Sequence, residues 1–169
     1  MDEPQLDTLH ARAACPPSEL TSAPSLRLAI VTCMDARIDP LAVFGLATGD
    51  AHIIRNAGGR VGPQALRSLT LSQRALGTRE VLIAQHTGCG LAGLDDEEFA
   101  ATLAAETGER PAWRAGGFAD LEESVRASMR AVREAVVLPH RDRVRGVVID
   151  VEKGGVWEVP DPDREKFRR

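Results

Sequence analysis

The sequence predicts an α/β fold with a mainly parallel central sheet flanked by helices and closed by a C-terminal antiparallel edge strand. Three observations predict it. From Leu26 onward, short strand-like runs alternate with stretches of helical spacing, the pattern of a parallel sheet with crossover helices. The strand-like runs are apolar almost throughout, as befits strands buried on both faces. Finally, helix-starting and helix-ending residues stand where the periodicity changes: Asp39-Pro40, Gly62-Pro63 and Gly77.

Residues 4–14 have helical spacing, with Leu6, Leu9 and Ala13 on one side. The segment C-P-P-S-E-L-T-S-A-P then reads as an extended loop, because its prolines fix φ and remove donors. L-R-L-A-I-V-T-C is the first strand. Asp39 caps a helix that runs through Phe44 and Leu46 towards Gly49, A-H-I-I-R-N is a second strand, and Pro63 opens a helix carrying Leu66, Leu69, Leu71 and Leu76. E-V-L-I-A-Q-H is a third strand, residues 95–107 and 119–137 are helical, and R-V-R-G-V-V-I-D-V is a fourth strand. Gly154-Gly155 turns the chain into V-W-E-V, an antiparallel return. The organisation is therefore an N-terminal helix and Pro-rich arm over 1–25, one α/β domain over 26–160, and a polar tail over 161–169. Trp113 and Trp157 are read as packing residues.

The 169 residues suffice for a single core without disulfide staples. A net charge of −4 with scattered arginines argues against nucleic acid as a partner. No run approaches the ~20 apolar residues that span a bilayer, and the acidic start M-D-E-P-Q-L-D is unlike a secretory leader. The expected location is the cytoplasm, where thiols stay reduced. Three cysteines are an odd number, which disfavours a fully paired framework.

Sites in parallel sheets gather outside the carboxyl ends of the strands. Three strand ends here carry nearly all the reactive residues: T-C-M-D-A-R, R-N-A-G-G and Q-H-T-G-C-G. Cys33 or His86 alone would more often be a packing or hydrogen-bonding residue. Together with Cys89, in an H-x-x-C loop after a strand, they form a two-sulfur, one-nitrogen set suited to Zn²⁺. Three protein ligands leave one position for water, whereas Cys15, the remaining cysteine, sits in the Pro-rich arm and reads as a free thiol. Asp35 and Arg37 read either as a surface pair or, on an extended backbone, as a carboxylate and guanidinium on the metal's side. Gly58 and Gly59 either let backbone approach a ligand or only make a tight turn before the helix at Pro63. His52 reads as a core hydrogen-bonder.

The motifs C-M-D-A-R, D-A-H-I-I-R-N-A-G-G and H-T-G-C-G, in this order and spacing, resemble the β-class carbonic anhydrases, closest to their short bacterial and archaeal branch. The resemblance runs from about Leu26 to Val159. It implies Zn²⁺, one per subunit, on Cys33, His86 and Cys89, with Asp35 and Arg37 as the catalytic pair. It places Asn56, Ala57, Gly58 and Gly59 along the substrate. The implied reaction is the reversible hydration of carbon dioxide to bicarbonate by zinc-bound hydroxide, in a homodimer or higher homo-oligomer whose N-terminal helix embraces the partner. Two thiolates offset the charge of zinc, so activity should rise on the alkaline side of neutrality. One departure stands out: Gly88 replaces the Asp usual in that branch between Thr and Cys. Other readings are hydrolysis of carbonyl sulfide or carbon disulfide on the same zinc, or a catalytically silent zinc protein. C-x-x-C, the P-loop lysine and the full dinucleotide fingerprint are all missing.

Overall fold

In the computed structural model, residue 14 and residues 17–167 are described. The helix expected over 4–14, apart from Ala14, and Cys15 lie outside them. Five strands form one sheet: β1 Leu28–Cys33, β2 Ala51–Asn56, β3 Glu80–His86, β4 Val144–Ile149 and β5 Val156–Glu158. Their order is β2-β1-β3-β4-β5, with β1 to β4 parallel and β5 antiparallel to β4. The helices are α1 Pro40–Phe44, α2 Pro63–Arg74, α3 Asp96–Thr107 and α4 Leu121–Glu134. One short 3₁₀ turn follows β2, at Ala57–Gly59, and another lies near the end of the described chain, at Arg164–Phe167.

Local chemistry sets the helix ends. Asp39, Asp95 and Asp120 cap α1, α3 and α4 by accepting from backbone N–H groups of the first turn. Helix α1 ends sooner than the sequence predicts, at Phe44. Gly45 adopts a left-handed φ of 64° and closes the helix, and the Asp50 carboxylate then accepts from Ala47 N at 2.9 Å to make a turn where helix was expected.

One sheet face is covered by α2 and α4. Ala29, Val31, Val81, Ile83 and Val148 pack there against Ala65 and Leu69 of α2 and against Val125, Met129 and Val132 of α4. The other face carries Ile30, Ala84 and Ile149 with the half-buried Leu28, Ile53, Leu82 and Val147, and α1 contributes Phe44 to it. Both tryptophans correct the sequence reading. Trp113 and Trp157 are exposed rather than packed, and Trp157 Nε1 donates to Glu122 Oε1 at 3.2 Å. Leu71 of α2 also faces solvent.

The chain passes from β1 to β2 on one side and crosses back to β3 on the other. Strand order therefore reverses between β1 and β3, and ligands of open α/β sheets bind at such a reversal.

Candidate metal centre

Register puts the reactive residues on one edge. Cys33 ends β1 opposite Asn56, the last residue of β2, and His86 ends β3 opposite Ile149. Thr32 lies opposite Ala84, so Cys33 and His86 leave the sheet side by side. The chain after His86 then doubles back at Gly88, whose φ is 61°, and returns Cys89 to the same spot.

The Cys33 Sγ, the Cys89 Sγ and a ring nitrogen of His86 all lie within 4.8 Å of one another, and all three residues are buried. Four-coordinate zinc with ordinary bond lengths needs donors about 3.5–3.8 Å apart, so small adjustments close the set on one ion. His86 Nδ1 lies 2.8 Å from the Thr87 carbonyl, which can only accept, so Nδ1 carries the proton and Nε2 presents its lone pair. That Nε2 is buried without a hydrogen-bond partner. Buried polar atoms are nearly always satisfied, and a metal ion is what this nitrogen and two thiols fit. Among the described residues no fourth His, Cys, Asp or Glu joins the group. Both cysteines are free thiols. Burial pushes the Cys89 thiol upward, and the neighbouring Cys33 adds to the effect.

Asp35 stands beside the trio, its Oδ2 3.8 Å from His86 Nε2. The sequence placed Asp35 and Arg37 there by strand alternation. The structure brings them there by a turn instead: β1 ends at Cys33, and Arg37 N donates to Asp35 Oδ1 at 2.9 Å. Arg37 Nε and Nη2 then grip both carboxylate oxygens, at 2.9 and 2.7 Å, and Nη2 also donates to the Gly88 carbonyl at 3.0 Å. These bonds hold the Asp35 carboxyl well below the usual carboxylate range. Arg55 supports the turn from β2, donating to the carbonyls of Cys33 at 3.0 Å and Asp35 at 2.7 Å.

The glycine turn lies against β1. Asn56 spends both side-chain groups closing it, donating to Arg60 O at 2.8 Å and accepting from Arg60 N at 3.0 Å. Gly58 and Gly59 are buried with φ of 73° and 61°. A Cβ on Gly59 would lie 2.8 Å from Cys33 N, so this glycine lets the turn touch the strand that carries Cys33. Ala57 is exposed on the rim of the same turn. His52 takes no part in the site: it is bonded to Ser72 Oγ and the Ser22 carbonyl, each at 2.8 Å.

Sequence reasoning missed Glu152. A Cβ on Gly88 would lie 3.6 Å from Glu152 Oε1 and 3.8 Å from the Arg37 guanidinium nitrogens, so a carboxylate from the β4–β5 turn stands beside the residue that lacks one.

Comparisons with known proteins agree with this geometry. Residues 28–156 match the family model described as carbonic anhydrase. The chain is 42% identical over 140 residues to Beta-carbonic anhydrase 1 of Mycobacterium tuberculosis, covering 83% of this chain and 86% of that protein. The crystal structure of carbonic anhydrase from Streptococcus mutans superposes with a TM-score of 0.80 at 36% identity, over 91% of this chain and 92% of that one. A carbon disulfide hydrolase of Acidianus sp. is 43% identical over 74 residues, which is 44% of this chain and 36% of that protein.

Proposed function

The chain belongs to the carbonic anhydrase family, and on that premise we propose that Cys33, His86 and Cys89 hold one zinc ion per subunit at the centre of catalysis. Its reaction is the reversible hydration of carbon dioxide to bicarbonate and a proton. The observation that carries the assignment of the site is the buried, unpartnered Nε2 of His86 beside two thiols. When bound, zinc supplies a Lewis acid that lowers the pKa of a coordinated water towards ~7.

The protein's own residues do the rest. His86 keeps its proton on Nδ1 through the Thr87 carbonyl and so offers Nε2. Asp35, held ionised and oriented by Arg37, has its Oδ2 beside Nε2 and accepts a hydrogen bond from the attacking water, which fixes the direction of attack. Because Arg37 holds both Asp35 oxygens, Asp35 acts as an acceptor and not as a fourth ligand. The turn Asn56–Gly59, lying against Cys33, is the wall along which carbon dioxide and bicarbonate lie.

We also propose a homodimer in the cytoplasm, with the arm 1–25 laid on the partner. The sheet face of Leu28, Ile53, Leu82 and Val147 is only half buried, and Met34, next to Cys33, is 66% exposed. A second copy of the chain would cover both, as sedimentation at micromolar concentration would register. A cytoplasmic setting would keep the two site thiols reduced. No helix among the described residues is long and apolar enough to cross a membrane.

The test is a stopped-flow carbon dioxide hydration assay on protein of known metal content. Zinc near one per chain, turnover lost to a chelator and turnover restored by zinc are the expected results. Full activity in metal-free protein would defeat the assignment, and zinc without turnover would favour a silent binding protein. The 74-residue likeness to a carbon disulfide hydrolase supports a second reading on the same residues, which sulfide release from carbon disulfide or carbonyl sulfide would reveal.

A further inference from the structure

Thr87 lies between two of the three ligand residues, and each of its polar groups is engaged. Its carbonyl accepts from His86 Nδ1 at 2.8 Å. Its N–H donates to Ile149 O at 3.0 Å, extending the β3–β4 ladder one step past His86. Its hydroxyl donates to Asp150 Oδ1 at 3.2 Å and accepts from Val151 N at 3.1 Å. The same Asp150 oxygen accepts from Glu152 N at 3.0 Å and Lys153 N at 3.1 Å, so one atom ties the start of the β4–β5 turn to the ligand loop.

We propose that Asp150 is a positioning residue for the metal centre: it fixes the Thr87 hydroxyl, and the Thr87 carbonyl in turn holds His86 with Nε2 aimed at the ion. The physical reason is rotational. A peptide carbonyl can hold an imidazole in one tautomer and one ring orientation only if the peptide itself cannot turn. Thr87 is pinned on the N-terminal side of that peptide, through its N–H and its hydroxyl, and Arg37 Nη2 holds the Gly88 carbonyl on the other side. Losing the hydroxyl contact loosens the loop between His86 and Cys89, leaving it to the Thr87 N–H bond with Ile149 O and the Arg37 bond with the Gly88 carbonyl. Outer partners of this kind contribute about 10- to 100-fold in metal affinity.

The inference rests on the zinc assignment above, and competition between the protein and a chromophoric chelator for Zn²⁺ separates the two. If the unaltered protein takes up no zinc, both fall. If it binds zinc, Thr87→Val, which keeps shape but removes the hydroxyl and leaves the Asp150 turn bonds in place, is expected to lose about 10- to 100-fold in affinity. Thr87→Ser and Asp150→Asn retain an acceptor–hydroxyl pair and are expected to stay within about threefold of the parent. Asp150→Ala, which leaves the Val151 N bond to the Thr87 hydroxyl, should lose affinity but no more than Thr87→Val, and the double variant should lose no more than Thr87→Val, because both cut one chain of bonds. Parental zinc affinity in Thr87→Val overturns the proposal, and so do losses that simply add in the double variant. Should Asp150→Ala not fold, the Thr87→Val and Thr87→Ser pair still decides.

Discussion

Replacing Gly59 by Ala tests whether the glycine turn is a structural element of the metal site. Gly59 is buried with φ of 61°, and an added Cβ would sit 2.8 Å from Cys33 N, 2.9 Å from Thr32 C and 3.1 Å from Thr32 Cα. All three atoms belong to the backbone of a strand paired on both sides, so they cannot move aside as a side-chain tip can. Left-handed backbone costs alanine about 1–2 kcal/mol, and overpacking about 1–3 kcal/mol more. The sum, roughly 2–5 kcal/mol, is a large share of the ~5–15 kcal/mol that holds a domain together. For a chain of this size it should lower Tm by about 4–20 °C. The assay is thermal unfolding of metal-free protein, so that metal affinity does not enter. Gly77→Ala is the control: its φ is 77° but nothing lies within 4 Å of an added Cβ, so it isolates the backbone cost. Gly59→Ala should be the less stable of the two and should also bind zinc more weakly, because β1 must bend where it carries Cys33. Equal stability of the two variants would refute the reasoning.

Cys33→Ser or Cys89→Ser should abolish stoichiometric zinc and turnover together, read by elemental analysis and stopped flow; retained zinc would mean another ligand set. Asp35→Asn should keep zinc but lower kcat/KM by at least about 100-fold, since the amide presents a donor where an acceptor is needed. Zinc uptake should weaken as pH falls. The thiols must lose protons to bind, and the upward shift of Cys89 leaves it protonated at neutrality, so affinity should drop about tenfold per pH unit for each proton displaced. A pH-independent affinity between 6 and 8 would show that the thiols are already ionised. Gly88→Asp should fold, because Asp tolerates left-handed backbone, at a cost of about 1 kcal/mol visible as a small fall in Tm.

How much of this was legible depended on sequence distance. Strands 51–56 and 80–86 were readable to the residue because each has an apolar centre, Ile53-Ile54 and Val81–Ala84, bounded by turn residues. The trio Cys33, His86 and Cys89 was readable because two of its members end strands and the third follows in the loop just after, where a parallel sheet concentrates chemistry. Asp35 and Arg37 were found by an argument about extended backbone that the structure does not follow; a side chain that bonds its own turn was the true cause. Asp150 was missed, although it too follows a strand end. Its partner Thr87 is 63 positions away, and nothing in either residue type announces the pairing. Exposure of Trp113 and Trp157 was equally hidden, because an aromatic side chain does not reveal whether anything packs over it.

Charge explains why these parts belong together. Two thiolates buried as deeply as Cys33 and Cys89, with the Asp35 carboxylate next to them, would repel one another strongly without a cation. Arg37 offsets Asp35, and a bound dication would offset two thiolates and leave the site neutral, while burial without a metal pushes the Cys89 thiol towards its protonated form. Under the mechanism proposed above, Arg37 serves both functions at once: it holds Asp35 ionised as the acceptor and keeps that charge from opposing the thiolates. A second carboxylate, from Glu152, already faces Arg37 across Gly88. A further acid at position 88 would tip this balance towards negative charge, so the glycine there is consistent with a site whose outer carboxylate comes from the β4–β5 turn.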